Sequence, residues 1–149
     1  MGKLSIPFRF GIVISGGLIA SFLLHSLFTA HTNPFYSLLN IVITGFGIFE
    51  TIRYYKLEQG VNFSYSSGFI AGLVAGAIAT IIFTIFFLFY ITEINKEFLP
   101  ELLEIFKGDY KVGAGMITFV VAIMGFATTV VMTLTLMQYF KISSKQSSK

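Results

Sequence analysis

The sequence predicts an all-α membrane protein: a four-transmembrane-helix bundle with both termini cytoplasmic and a short amphipathic helix in the outer loop between spans three and four. Three observations predict it. Hydrophobic residues make up 55% of the 149-residue chain and charged residues only 11%, far below the roughly one quarter that covers a soluble domain. Asp, Glu, Lys and Arg are missing between Arg9 and Glu50, between Glu58 and Glu93, and between Lys111 and Lys141. The remaining basic residues are unevenly shared between alternate loops.

A spanning helix needs about 20 largely apolar residues. The second and third charge-free gaps fit one span each, near 66–92 and 113–140. The first gap is long enough for two, and His31-Thr32-Asn33-Pro34 breaks it in the middle. Asparagine before proline reads as an N-cap followed by proline at the first helical position, so spans one and two are expected near 10–28 and 34–54. So short a connection makes them an antiparallel hairpin. A cleaved secretory signal with Lys3 and Arg9 as its basic region is the rival reading of the start, but the apolar run exceeds an ordinary signal core. The runs do not alternate as membrane β-strands do.

Lys and Arg accumulate in cytoplasmic loops. With the N-terminus inside, the inner segments hold seven basic residues: Lys3, Arg9, Arg53, Lys56, Lys141, Lys145 and Lys149. The outer segments hold three, Lys96, Lys107 and Lys111, among Glu93, Glu97, Glu101, Glu104 and Asp109. Tyr54, Tyr55 and Tyr139 fall where an interfacial aromatic belt belongs. Residues 143–149 form a basic polar tail expected to be disordered and weakly drawn to anionic lipid. In the outer loop, Phe98, Leu99, Leu102, Ile105 and Phe106 recur at helical spacing, predicting an amphipathic segment over about 95–107. That segment reads either as a connector or as a docking surface.

Span three carries Gly68, Gly72 and Gly76 at four-residue spacing, with Ala71, Ala75 and Ala79 on an adjoining strip. Its outer half is bulky: Phe83, Phe86, Phe87, Phe89 and Tyr90. Lipid provides no hydrophobic drive for helix association, so small residues that admit close backbone approach mark a helix interface. The partner is expected within the chain, from strips in span one (Gly16, Gly17, Ala20, Ser21) or span four (Ala122, Gly125, Thr129), or else in another inner-membrane protein or a second copy.

His25 lies within span one near its outer end, and ionisable groups inside membranes are functional candidates. Asn40 stands at a similar depth in span two, with His31 and Asn33 above in the turn. They read either as a small polar site opening outward or as a neutral histidine held by a local hydrogen bond. Glu50 and Arg53, three residues apart, are expected to pair at the inner interface.

Without Cys there is no disulfide or thiolate site, and two histidines without carboxylates make a poor metal centre. No nucleophile elbow or phosphate-binding glycine loop appears. Neither an enzyme nor a cofactor is expected, and the net charge of +3 forms no continuous patch for nucleic acid.

From His31-Thr32-Asn33-Pro34-Phe35 and Ser37-Leu38-Leu39-Asn40, through Arg53-Tyr54-Tyr55-Lys56 and Phe63-Ser64-Tyr65, to Asn95-Lys96-Glu97-Phe98-Leu99, the chain resembles a domain-of-unknown-function family. Its members are small four-span bacterial inner-membrane proteins. The resemblance implies that architecture and the bacterial inner membrane as location. It implies no activity and no catalytic residue, and it implies a longer outer loop than this chain has. The expected role is a non-enzymatic accessory or scaffold subunit that binds a membrane partner or lipid. A small oligomeric transporter or channel with its site near His25 and Asn40 is the alternative, and an enzyme acting on lipid is a third reading.

Overall fold

The computed structural model describes residues 5–27, 35–97, 100 and 113–146, the side chains of 35–37 and 142–146 excepted. Four long helices account for almost all of them: α1 (Ser5–Leu27), α2 (Phe35–Gln59), α3 (Tyr65–Phe89) and α4 (Ala114–Gln146). No strand occurs among the described residues. Three segments, Ser5–Leu27, Tyr65–Ile94 and Ala114–Lys141, are long and apolar enough to cross a membrane.

Each boundary has a local cause. Pro7 lies in the first turn of α1, where its missing N–H costs nothing. The helix therefore starts five residues before the expected span and carries Arg9 within it. α2 ends at Gly60, whose φ of +53° is the left-handed conformation that glycine adopts freely. A single 3-10 turn, Gly60–Asn62, then leads to α3. The start of α3 is fixed by a capping box: Ser67 N–H donates to Ser64 Oγ (3.2 Å), and Ser64 N–H donates to Ser67 Oγ (3.1 Å). At its other end α3 widens into a π-helical turn, Tyr90–Ile94. α4 continues through Gln146, so the tail expected to be irregular from Ser143 is helical as far as it is described; neither glycine nor proline interrupts it there. The His31–Pro34 turn and all but residues 95–97 and 100 of the expected outer amphipathic segment lie outside the described residues.

Contacts set the directions of the helices. Ile43 and Ile14 meet Gly17 and Gly47 respectively, so α1 and α2 run antiparallel. Gly11 lies against Ala75 and Ile78, and Phe22 against Phe83, Phe87 and Tyr90, so α1 and α3 run parallel. α4 runs antiparallel to α3 and parallel to α2, which it meets through Met132 on Gly45 and Phe140 on Phe49. α2 and α3 also touch across the bundle, between α1 and α4. One end therefore gathers the start of α1, the end of α2, the start of α3 and the end of α4.

The interior has two parts. The first contains Ile14, Leu18, Ile48, Ile52, Ala75, Ala79, Met137 and Phe140. The second, toward the other end, is an aromatic cluster built on Phe87, Tyr90 and Ile91, with Phe22, Phe83 and Phe86 packed against it. Phe22 meets four rings edge-on at 4.9 to 6.2 Å, an arrangement that sets the positive ring edge against negative ring faces. The expected division of span three into a small-residue half and a bulky half is thus a division of the whole bundle.

Candidate functional site

The glycine strip of α3 faces α4, turn by turn. A Cβ on Gly68 would meet Phe63 of the α2–α3 connection and then Met137, one on Gly72 would meet Thr133, and one on Gly76 would meet Thr129. One turn further the roles reverse, and Thr80 fills the space above Gly125 of α4. Residues 68, 72, 76 and 80 thus match 137, 133, 129 and 125 in an antiparallel ladder whose steps are about 6 Å. The alanine strip serves other neighbours: Ala75 lies against Gly11 of α1. Of the two strips expected to partner the glycines, that of span four does so; of that of span one, Gly17 packs against Ile43 of α2, while Gly16 and Ala20 are exposed.

Thr129 and Thr133 of this seam differ from most other threonines. Thr51, Thr118, Thr128 and Thr135 each donate to the carbonyl four residues earlier, at 2.7 to 2.8 Å. Thr129 and Thr133 are 1% and 0% exposed, and their hydroxyls have no hydrogen-bond partner among the described residues, nor does that of Thr84. Their oxygens lie 2.6 and 3.1 Å from where a Cβ would stand on Gly76 and Gly72. Gly125 and Thr129 were legible in the sequence as a partner strip, but Thr133 and Met137 were not; the repeat of 125, 129, 133 and 137 at the same four-residue spacing was the available signal.

The outer-end candidates separate. His25 is half-buried, and its Nδ1 approaches the Ser21 carbonyl oxygen at 2.5 Å. A carbonyl only accepts, so Nδ1 carries the proton in this contact. Ser26, the next residue, shares a hydrogen bond with the Tyr90 hydroxyl and ties α1 to the π-helical turn. No described hydrogen bond joins His25 to Asn40, which is half-buried on α2. The register explains it: with Ile43 beside Gly17, Asn40 falls level with Ala20, and His25 stands five residues, about 7.5 Å, beyond it along the axis. His31 and Asn33 lie outside the described residues.

At the opposite end Glu50 and Arg53 pair as expected. Arg53 Nη1 donates to both carboxylate oxygens, at 3.2 and 3.4 Å. Glu50 is 17% exposed and Arg53 57%, so the acid is tucked against the bundle and the guanidinium points out. Nearby, Lys56 Nζ lies 5.8 and 5.7 Å from the ring centroids of Phe63 and Phe140 and so joins the α2–α3 connection to the end of α4. No group of three or more His, Asp or Glu suited to a metal occurs among the described residues.

Long apolar helices packed side by side, three of them long and apolar enough to cross a membrane among the described residues, point to an all-α membrane protein. The chain belongs to the DUF4199 family of proteins of unknown function, whose family model matches residues 9–116. No curated protein and no solved structure matches it.

Proposed function

We propose that the protein is a four-span protein of the bacterial inner membrane, with both termini cytoplasmic. In this reading it serves as a non-enzymatic accessory or scaffold subunit for another membrane protein or for lipid. The α3–α4 seam carries the reading: its polar side chains, Thr80, Thr129 and Thr133, fill glycine notches instead of gathering around a reacting centre. Such a bundle is built for close packing.

Two features support the topology. α2 is 25 residues long, about 37 Å, which exceeds the roughly 30 Å hydrocarbon layer, and it packs along both α1 and α3. Among the described residues one end of the bundle holds four basic side chains, Arg9, Arg53, Lys56 and Lys141, with Glu50 and Glu58, and the other holds one, Lys96, with Glu93 and Glu97, the Lys/Arg bias of a protein whose basic end is cytoplasmic.

The Gly68, Gly72 and Gly76 strip is filled from within the chain, so a partner's helix meets another face. The broadest is the outer side of α4, where Met116, Phe119, Ile123, Met124 and Val131 are 51 to 65% exposed. A photoreactive residue at Ile123, with purification from native membranes, tests this. A stoichiometric crosslinked membrane partner is expected there and none from buried Thr133; isolation without any partner overturns the scaffold role.

A second reading, a small oligomeric transporter or channel, draws support from the π-helical turn Tyr90–Ile94 and its link to Ser26 beside His25. Such turns recur at functional sites. Flux into proteoliposomes that disappears in His25→Ala supports it, and no flux, or flux indifferent to the substitution, rejects it.

A further inference from the structure

We infer that the outward side of the α1–α2 pair, at the basic end of the bundle, is a binding site for the headgroup phosphate of an anionic lipid, held by Arg9 and Arg53. The inference rests on the membrane-spanning reading above and is independent of any protein partner.

Helix register brings the two arginines together. The rings of Phe10 and Tyr54 pack at 5.4 Å between centroids, and each arginine is the residue immediately before one of those rings. Because α1 and α2 run antiparallel, Arg9 and Arg53 are displaced from that contact in opposite directions by one residue each, about 3 Å in all. They therefore stand at nearly one level of the bundle.

Both arginines also lie on the sides of their helices that no other helix covers. Arg9 continues the stripe of Val13, Gly16 and Ala20, all exposed, at spacings of four, seven and eleven residues. Arg53 belongs to the stripe of Val42, Phe46 and Leu57, which are 64, 66 and 70% exposed. Apart from the arginines and Glu50, the half-buried partner of Arg53, these stripes are apolar, so the site lies where an apolar flank meets headgroups.

The chemistry suits a phosphodiester. Arg53 gives only Nη1 to Glu50, which leaves its Nη2 and Nε donors for an oxyanion. A guanidinium presents such donors as a planar fork that matches phosphate geometry. Two arginines against the one carboxylate of Glu50 leave a local charge of +1, which a single lipid phosphate balances. Tyr54, 50% exposed beside Arg53, adds a hydroxyl at the same level. The other basic groups of this end stand elsewhere: Lys56 is held over Phe63 and Phe140, and Lys141 is exposed on α4.

Native mass spectrometry of the full chain, titrated separately with phosphatidylglycerol and phosphatidylcholine, tests the site. Wild type is expected to retain phosphatidylglycerol selectively. Arg9→Gln and Arg53→Gln should each weaken that retention about fivefold, the worth of one well-placed cation at a membrane surface. Arg53→Lys keeps the charge and loses the fork, and should weaken it nearly as much, whereas Lys141→Gln should change it less than about twofold. Equal retention of the two lipids overturns the inference, as does a loss in Lys141→Gln matching that in Arg53→Gln, or full retention in Arg53→Lys; a diffuse surface potential predicts these last two. Failure of the chain to enter bilayers would instead sink the membrane-spanning reading itself.

Discussion

Placing a single methyl group on Gly76 should separate α3 from α4. A Cβ there would lie 2.6 Å from Thr129 Oγ1 and 2.9 Å from Thr129 Cβ. Rotating the threonine about χ1 moves its hydroxyl and methyl but leaves its Cβ in place. Carbon atoms rest at about 3.5–4.0 Å, so the helices must part by roughly 0.6–1 Å. A gap of that size forfeits a quarter to a half of the contact energy across it, and it propagates to Gly72–Thr133 and Thr80–Gly125 on the neighbouring turns. Overpacking of this kind costs about 1–3 kcal/mol, and replacing a helical glycine by alanine returns at most about 1 kcal/mol. The expected net effect of Gly76→Ala is therefore a loss of up to about 2 kcal/mol. Gly16 has open space where its Cβ would stand, so Gly16→Ala should be neutral or slightly stabilising. Reversible unfolding in mixed micelles, followed by circular dichroism, would measure both. The double variant Gly76→Ala/Thr129→Ala removes the facing hydroxyl and methyl and should recover part of the loss, with a coupling energy of about 1 kcal/mol. If Gly76→Ala proves as stable as Gly16→Ala, or if the two seam substitutions are simply additive, the threonine–glycine ladder does not hold these helices together.

Three further substitutions probe the elements that frame the seam, each by the same unfolding measurement. Gly60→Ala forces a Cβ into a left-handed backbone with φ of +53° and should destabilise by about 1–2 kcal/mol, with Gly60→Asn costing less. Ser64→Ala removes one side of the capping box at the start of α3 and should cost about 1 kcal/mol, mostly regained in Ser64→Asp. Tyr90→Phe deletes the hydroxyl bonded to Ser26 while keeping the ring against Phe22. A loss of about 0.5–1.5 kcal/mol is expected, and an unchanged midpoint would show that this bond adds nothing to the docking of α1 on α3.

The helical class was legible because charge is excluded from an apolar layer, and the gaps between Arg9, Glu50, Glu58, Glu93, Lys111 and Lys141 record that exclusion directly. The ends of the helices were less legible, since a helix outlasts its apolar part: α1 begins at Ser5 and α2 runs on to Gln59, where Gly60 stops it. Of the candidate residues, Glu50 and Arg53 were predictable because a pair three residues apart needs nothing but its own helix. His25 and Asn40 were not, because their separation depends on how far α1 slides along α2. The π-helical turn after Phe89 left no mark in composition.

The sequence by itself determined that this chain is helical and apolar, and that α3 has one face shaped for close approach. Propensity, charge exclusion and four-residue spacing are properties of single segments. Only the tertiary structure decided which helix fills that face, because small residues on α1 and on α4 offered comparable strips. The choice depends on Thr129, Thr133 and Met137 entering the spaces at Gly76, Gly72 and Gly68 while Thr80 enters that of Gly125. That match is one of shape between residues 45 to 69 positions apart along the chain, and dense packing in an apolar solvent selects for it.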